Sequence, residues 1–388
     1  MNKKLKVLQV VGVMNHGGAE AMLMDIFRQL HDTIDFVFLV NDHKHLLGRE
    51  GAFDKEILAL GGKIRYIGSQ GSLGPLKYIW QMKQIVAEEN PDLAHSHLNA
   101  KSGFIALALH IAGVKRIIAH CHANIKFHGS SLSNFLHEAE VRFQKLLISR
   151  YCTDFWGCSI EANNRLFYGK NLDKSLVINN AIDCAKYEAV THSQSQSLRD
   201  SYKLPQGAIV LGNVGRIVPH KNIAFIVDIL AELNKRGTPA YLVVVGRNDA
   251  KDYVDNMMAN ARRLGVADNI IFLGERSDIP VVMHTFDVFV GTSLREGFGL
   301  VAVEAQAAAV PCVLYKGFPP LTDMKVGLVS YLNEFIVSLW CDAILNCIGN
   351  DKPLICKADV CSKIRELGFD SFTNARHVLN LYSDYNYE

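Results

Sequence analysis

Short, unbroken apolar runs recur along this chain, each followed by a stretch with helical spacing, and the whole alternation happens twice. Val7–Val13, Phe36–Val40, Ile64–Ile67, Leu93–His95, Arg116–His120 and Thr153–Cys158 have the length and composition of buried strands. Helical patterns over Gly18–Leu30, Pro75–Glu89, Ala100–Ala112 and Ser131–Arg150 separate them. Strands that are apolar throughout, and not on alternate residues only, need cover on both faces, which predicts a parallel sheet between helical layers. The pattern restarts with strands at Ala208–Val214, Tyr241–Gly246, Ile270–Gly274, Val288–Gly291 and Cys312–Tyr315. Helices are expected at Asn222–Lys235, Lys251–Leu264 and Leu300–Ala309. A chain of 388 residues exceeds what one core usually organises. The expected class is therefore α/β, with two doubly wound, Rossmann-like domains facing across a cleft. The boundaries fall at 1–185 and 207–367, with a Ser/Gln-rich linker at 186–206 and a last helix at about 368–388 returning to the first domain.

Composition narrows the function classes. Lys plus Arg number 41 against 39 Asp plus Glu, a net charge of +2, which lacks the basic excess of a nucleic-acid binder. The nine cysteines are scattered and form no Cys-x-x-Cys pair, as suits a reducing cytoplasm. No apolar run approaches the roughly 18 residues of a membrane span, and Met1–Val13 lacks the small-residue cleavage site of a signal peptide. The expectation is a cytoplasmic protein, free or lying against the inner face of the cytoplasmic membrane. Phe135–Tyr151 bears on that choice: with Arg142, Lys145 and Arg150 it has the pattern of a surface-seeking helix, but a domain-packing helix is the preferred reading.

Four clusters sit where ligands bind in open α/β sheets, beyond the carboxyl ends of strands. Gly17 and Gly18 open the first helix, where bare backbone amides and the helix dipole favour a phosphate; a plain tight turn is the alternative. Gly215 begins a loop in which Arg216 and Lys221 can converge on one anion, the first as a fork and the second as a point charge. Glu296 precedes a glycine-rich helix start, Gly297-Phe298-Gly299-Leu300-Val301, whose amides face outward, and Glu304 follows about two turns later in an apolar stretch where an idle carboxylate is costly. Three His-x-His pairs (His43/His45, His95/His97 and His120/His122) could each chelate, but no acidic or cysteine cluster completes a metal site. The first pair is expected in an exposed loop and the others at strand ends lining the cleft, with no metal. Gly246 and the Gly274–Asp278 loop are weaker candidates for the base.

Together these stretches resemble the retaining glycosyltransferases of family four, which have the GT-B fold. The likeness covers nearly the whole chain and is strongest over Ile209–Pro311, where Glu296 and Glu304 form a Glu-x7-Glu motif. The resemblance implies that Arg216 and Lys221 grip the donor diphosphate and stabilise it as it leaves. It gives Glu304 the ribose hydroxyls, and Glu296 with the Gly297–Gly299 backbone the transferred sugar. It puts Gly17 and Gly18 under the diphosphate, Arg276 with Ser277–Asp278 beside the base, and His122 (with His120 as the alternative) near the sugar and the acceptor hydroxyl. Tyr315–Pro320 departs from the family's usual turn. The resemblance implies a reaction that takes a sugar from a nucleotide-diphosphate donor, with UDP the nucleotide expected from the family, to a glycan or polyprenyl-diphosphate-linked acceptor in capsule or exopolysaccharide synthesis. Retention with no dedicated base and no metal is expected, the chain having no Asp-x-Asp. An epimerase or phosphorylase on the same fold, or a non-catalytic nucleotide-sugar-binding module, are the rival readings.

Overall fold

The structure is a computed structural model that describes residues 4–15, 17–41, 50–122, 131–205, 207–349 and 355–384. It divides into two compact units: Met1–Ala181 with Ser371–Glu388, and Ile182–Asp370.

The sheet of unit 1 has seven parallel strands: β1 (Leu5–Val11), β2 (Ile34–Asn41), β3 (Lys63–Ile67), β4 (Leu93–Ser96), β5 (Ile117–Cys121), β6 (Asp154–Gly157) and β7 (Leu176–Val177). Their spatial order is β3-β2-β1-β4-β5-β6-β7. The chain winds outward from β1 on one side and then from β4 on the other, which leaves a topological switch between β1 and β4. The first helix, Gly18–Leu30, buries Leu23, Ile26, Phe27 and Leu30, the spacing of a single helix face turned to the sheet. Phe27 packs edge-on against Phe36 and Phe38 of β2, with centroids 5.3 and 5.2 Å away.

The sheet of unit 2 has six parallel strands: β8 (Ile209–Val214), β9 (Ala240–Val245), β10 (Ile270–Gly274), β11 (Val288–Gly291), β12 (Cys312–Tyr315) and β13 (Val329–Leu332). The order β10-β9-β8-β11-β12-β13 puts its switch between β8 and β11. Both sheets thus have the doubly wound form expected from the sequence.

One boundary differs from expectation. The segment read as a linker forms the helices Cys184–Glu188 and His192–Ser201 within unit 2. Thr191 and Gln194 make a reciprocal capping box at the start of the second, and Arg199 pairs with Asp287 at 2.8 Å. Polar composition there reflects an exposed helix face. The last helix, Ser371–Ser383, belongs to unit 1, where it buries Ala375, Val378 and Tyr382.

Candidate active site

In unit 2 the loops after β8 and β11 meet at the switch point. Glu296 Oε1 accepts from Lys221 Nζ at 2.5 Å and from Ser293 Oγ at 2.6 Å. Leu294 donates its amide to the carbonyl of His220 at 2.8 Å, and Thr292 Oγ1 donates to the carbonyls of Lys221 and Asn222, both at 3.0 Å. The two motifs, far apart in sequence, therefore form one body. Oε2 of Glu296 takes no bond among the described residues. Arg216 lies on the same loop but is exposed, with its nearest carboxylate, Asp249, at 3.6 Å.

Backbone packing builds the floor. Gly215 and Gly246 end adjacent strands with φ of 143° and 135°, and a Cβ on Gly246 would stand 2.1 Å from the Gly215 carbonyl oxygen. Only glycine fits there. Gly317 lies in the segment that departs from the family turn, and it takes the Glu296 amide on its carbonyl at 2.9 Å. A side chain at Gly317 would meet the Ser293 carbonyl oxygen at 2.1 Å. That segment holds the glutamate loop in place.

The motif helix runs Leu300–Ala307, capped by Gly299 with φ of 86°. Phe298 is buried and stacks on Phe369 at 5.1 Å, and Leu300 and Val301 pack on the same core. Their side chains are structural, which leaves the amides of the first turn as what Phe298–Val301 can offer a ligand. Gly297 is exposed, with open space around its Cα. Glu304 is half-buried and accepts a hydrogen bond from the hydroxyl of the buried Tyr187. Burial first, and then the Glu304 charge, push the Tyr187 phenol well above its ordinary range, so it stays a donor. Arg276 is exposed and chelated by Asp278.

In unit 1, Gly17 caps the helix Gly18–Leu30, and Gly18 is exposed at its mouth. The Glu20 side chain folds back so that a Cβ on Gly17 would meet Oε2 at 2.1 Å, and burial raises its pKa. The helix mouth assigned to a phosphate thus holds a carboxylate.

The histidine pairs differ from expectation. His95, His97 and His120 are buried, and with His122 they form hydrogen bonds among themselves in place of lining a surface. Ring nitrogens of His95, His97 and His120 lie within 4.8 Å of one another, close enough to share an ion, but their hydrogen bonds in this structure are to each other, to His122, to Gln9 and to Tyr382. His122 lies just past β5, partly exposed, and its amide donates to Asn99 Oδ1 at 2.7 Å; His120 is wholly covered. His43 and His45 lie outside the described residues.

Two family models match the chain: Glycosyltransferase Family 4 over residues 16–186 and Glycosyl transferases group 1 over residues 194–325. EpsF of Bacillus subtilis (strain 168), a glycosyltransferase by name, is 30% identical over 391 residues, covering 99% of this chain and 98% of its own. The chain belongs to glycosyltransferase family 4. An Escherichia coli UDP-Gal:α-D-GlcNAc-diphosphoundecaprenol α-1,3-galactosyltransferase is 26% identical over 332 residues, with 80% of this chain and 79% of that one covered. The capsular polysaccharide glycosyltransferase CapH of Staphylococcus aureus is 25% identical over 303 residues, 78% of each chain. Among solved structures, Anabaena HepE in complex with UDP superposes with a TM-score of 0.78 at 23% identity, covering 98% of this chain and all of that one, a likeness of fold. These three relatives are glycosyltransferases by name, and they give the epimerase, phosphorylase and non-catalytic readings no support.

For a family 4 transferase, the sequence motifs located the charged groups but missed their supports. Ser293 and Gly317 hold Glu296, and Tyr187 holds Glu304. Tyr187 lay in the segment read as linker; the Thr191-x-x-Gln194 capping box was the one signal that this segment is folded.

Proposed function

We propose that this transferase takes a sugar from a UDP-sugar, without a metal, to a glycan or polyprenyl-diphosphate-linked acceptor, with retention of anomeric configuration, in surface-polysaccharide synthesis. The observation that carries the reading is the Lys221–Glu296 bond across the switch point of unit 2. It sets a cation and a carboxylate with one unengaged oxygen side by side where ligands of open sheets bind. Lys221 and Arg216 take the diphosphate, and as the anomeric C–O bond breaks they meet the negative charge that develops there. Glu296 Oε2 receives a hydroxyl of the transferred sugar. Glu304, held by Tyr187, accepts from the ribose, the amides at Gly297–Val301 meet ligand oxygens, and Gly246 and Arg276 border the base. In unit 1, His122 serves the transfer, and the Gly17–Gly18 amides assist the phosphate once Glu20 moves aside. The UDP complexes of HepE and the names of the E. coli and S. aureus relatives support the donor and acceptor classes.

The test is a panel of UDP-sugars with a polyprenyl-diphosphate-linked acceptor, run with and without EDTA, the product anomer being assigned by NMR. The expected product keeps the donor's configuration and its yield is indifferent to the chelator. An inverted anomer sinks the stereochemical proposal, and activity lost to EDTA and restored by a divalent ion sinks metal independence.

Membrane contact rests on one helix. Ser131–Tyr151 buries Gln144, Leu147 and Ile148, yet leaves Phe143 and Leu146 exposed beside Arg142 and Arg150. No helix among the described residues is long and apolar enough to cross a membrane. Flotation with anionic liposomes tests whether this face docks on one, and failure to float removes the proposal.

A further inference from the structure

Alternation along a strand puts every second side chain on one face, and parallel register carries that face across the sheet. Gln9 of β1 is in register with His95 of β4, His95 is in register with Ile118 of β5, and His97, His120 and His122 each follow by two-residue steps. These side chains therefore share the face to which the C-terminal helix brings Tyr382. Each makes hydrogen bonds that order them in a single file. His122 Nε2 meets His97 Nδ1 at 2.8 Å, and His97 Nε2 meets Gln9 Oε1 at 2.8 Å. Gln9 Nε2 donates to Tyr382 Oη at 3.1 Å, Tyr382 Oη meets His95 Nδ1 at 2.7 Å, and His95 Nε2 meets His120 Nδ1 at 3.1 Å. The two atoms at the ends, His122 Nδ1 and His120 Nε2, are covered and have no partner among the described residues.

A neutral imidazole has one donor nitrogen and one acceptor, so the bond made by one nitrogen fixes the role of the other. Gln9 receives on Oε1, hence His97 carries its hydrogen on Nε2 and accepts on Nδ1. His122 must then donate from Nε2, and its Nδ1 is left as a bare lone pair. On the other side, the Gln9 amide fills a lone pair of Tyr382, whose hydrogen goes to His95 Nδ1. His95 donates from Nε2, and His120 ends with a hydrogen on its own Nε2. The file admits one other arrangement, in which the Gln9 amide turns over and every hydrogen reverses together. His122 Nδ1 would then be a donor. Because the Tyr382 oxygen has two lone pairs, the His95–His120 half could reverse alone, but the buried Tyr382 hydrogen would then have no acceptor in the file; no other setting makes all five bonds and also places that hydrogen. Burial disfavours the charged form of all four rings, so the neutral count applies at ordinary pH.

We propose that Gln9, His97, His95 and Tyr382 are positioning residues for His122: through this file they hold its Nδ1 as a hydrogen-bond acceptor. The inference rests on the reading of His122 as the histidine that serves transfer, but its core, the tautomer of one ring, can be observed without turnover. It also gives the last helix a part in the chemistry, because Tyr382 is the link between the two halves of the file.

The experiment uses the full chain labelled with ¹⁵N-histidine, with long-range ¹H–¹⁵N spectra recorded near neutral pH and the His122 signals assigned by their loss in His122→Asn. In the wild type, His122 is expected with hydrogen on Nε2 and an unprotonated Nδ1. Tyr382→Phe removes the hydroxyl that Gln9 and His95 share, and Gln9→Leu cuts the file at its centre; either should turn the His122 pattern into a mixture of both tautomers. Two independent cuts guard against one that fails to fold, with a melting curve as the check. Turnover in each should fall about tenfold in kcat, the loss of one neutral hydrogen bond's worth, with the donor KM within about twofold. A wild-type ring protonated at Nδ1, or a folded variant whose His122 pattern is unchanged, overturns the proposal. A changed tautomer with kcat intact upholds the file and removes His122 from the transfer step.

Discussion

The switch regions of the two units handle polarity in opposite ways. In unit 2 the loops after β8 and β11 gather full charges, Lys221 against Glu296 and Arg216 near Asp249, at a partly exposed surface. In unit 1 the equivalent strand ends gather four histidines, a glutamine and a tyrosine, kept neutral and largely covered. A charged cluster can be paired locally, keeps part of its solvation, and can act on a developing charge when a ligand arrives. A neutral buried network has to satisfy nearly every donor and acceptor from within, which makes it demanding in geometry and sensitive to each member.

The largest effect expected from this contrast is on turnover. Lys221→Ala and Arg216→Ala should each lower kcat by roughly 10²–10³, the usual loss for one preorganised contact to a leaving group. Steady-state rates with a UDP-sugar decide it, and unimpaired kcat in either would take that residue out of the charged cluster. Gly246→Ala tests the floor beneath the cluster. With φ at 135° and a carbonyl 2.1 Å from the added carbon, it should cost at least about 1–3 kcal/mol in urea unfolding, and a wild-type midpoint would contradict the close approach.

The neutral network predicts a pH response concentrated in unit 1, where four buried rings act together; in unit 2 burial lowers the pKa of His220 and His284 in the same direction, but these two are scattered. Burial lowers the pKa of His95, His97 and His120 well below 6.5 and that of His122 to about 4. Unfolded histidines take up protons first as pH falls, so the stabilisation is complete above about pH 6.5 and is lost from there toward pH 4. Each ring contributes up to about 1.4 kcal/mol per pH unit in that window. Hydrogen exchange at pH 5 and 7.5 should show amides of β4 and β5 losing protection at the lower pH ahead of β8 and β11; the reverse order would refute the contrast. The smallest effect is at Glu304. Tyr187→Phe should weaken UDP binding about tenfold by calorimetry and leave kcat nearly unchanged, as suits a residue that only steadies a carboxylate. Unaltered affinity would detach Tyr187 from the site.

The same contrast accounts for what the sequence showed. Strand and helix periodicities are local, so eleven of the thirteen described strands and eight of the longer helices could be placed before any coordinates, whereas β7, β13 and the helices Val337–Ile348 and Lys357–Glu366 were not. Arg216, Lys221, Glu296 and Glu304 were visible because charge and glycine next to apolar strands form a compact signature. Gln9, Tyr187 and Tyr382 were not, since each is a single polar residue whose partner lies on another element, and only register across a sheet or a returning helix brings the two together. The His-x-His doublets showed that same-face histidines exist but not what covers them. The 186–206 segment was misjudged for a related reason: serine and glutamine are as common on the wet side of a capped helix as in a tether.

Arg116 grips the carbonyls of Leu381 and Tyr382 at 2.8 and 2.9 Å while pairing with Asp154, so the last turn of the helix Ser371–Ser383 is clasped by a residue translated before any of unit 2. A ribosome must finish all of unit 2 before that clasp can shut. The nascent first segment of unit 1 would wait, with polar groups uncovered, for a cap encoded beyond unit 2, and a stop codon anywhere in unit 2 would disable a domain whose own codons before it are intact.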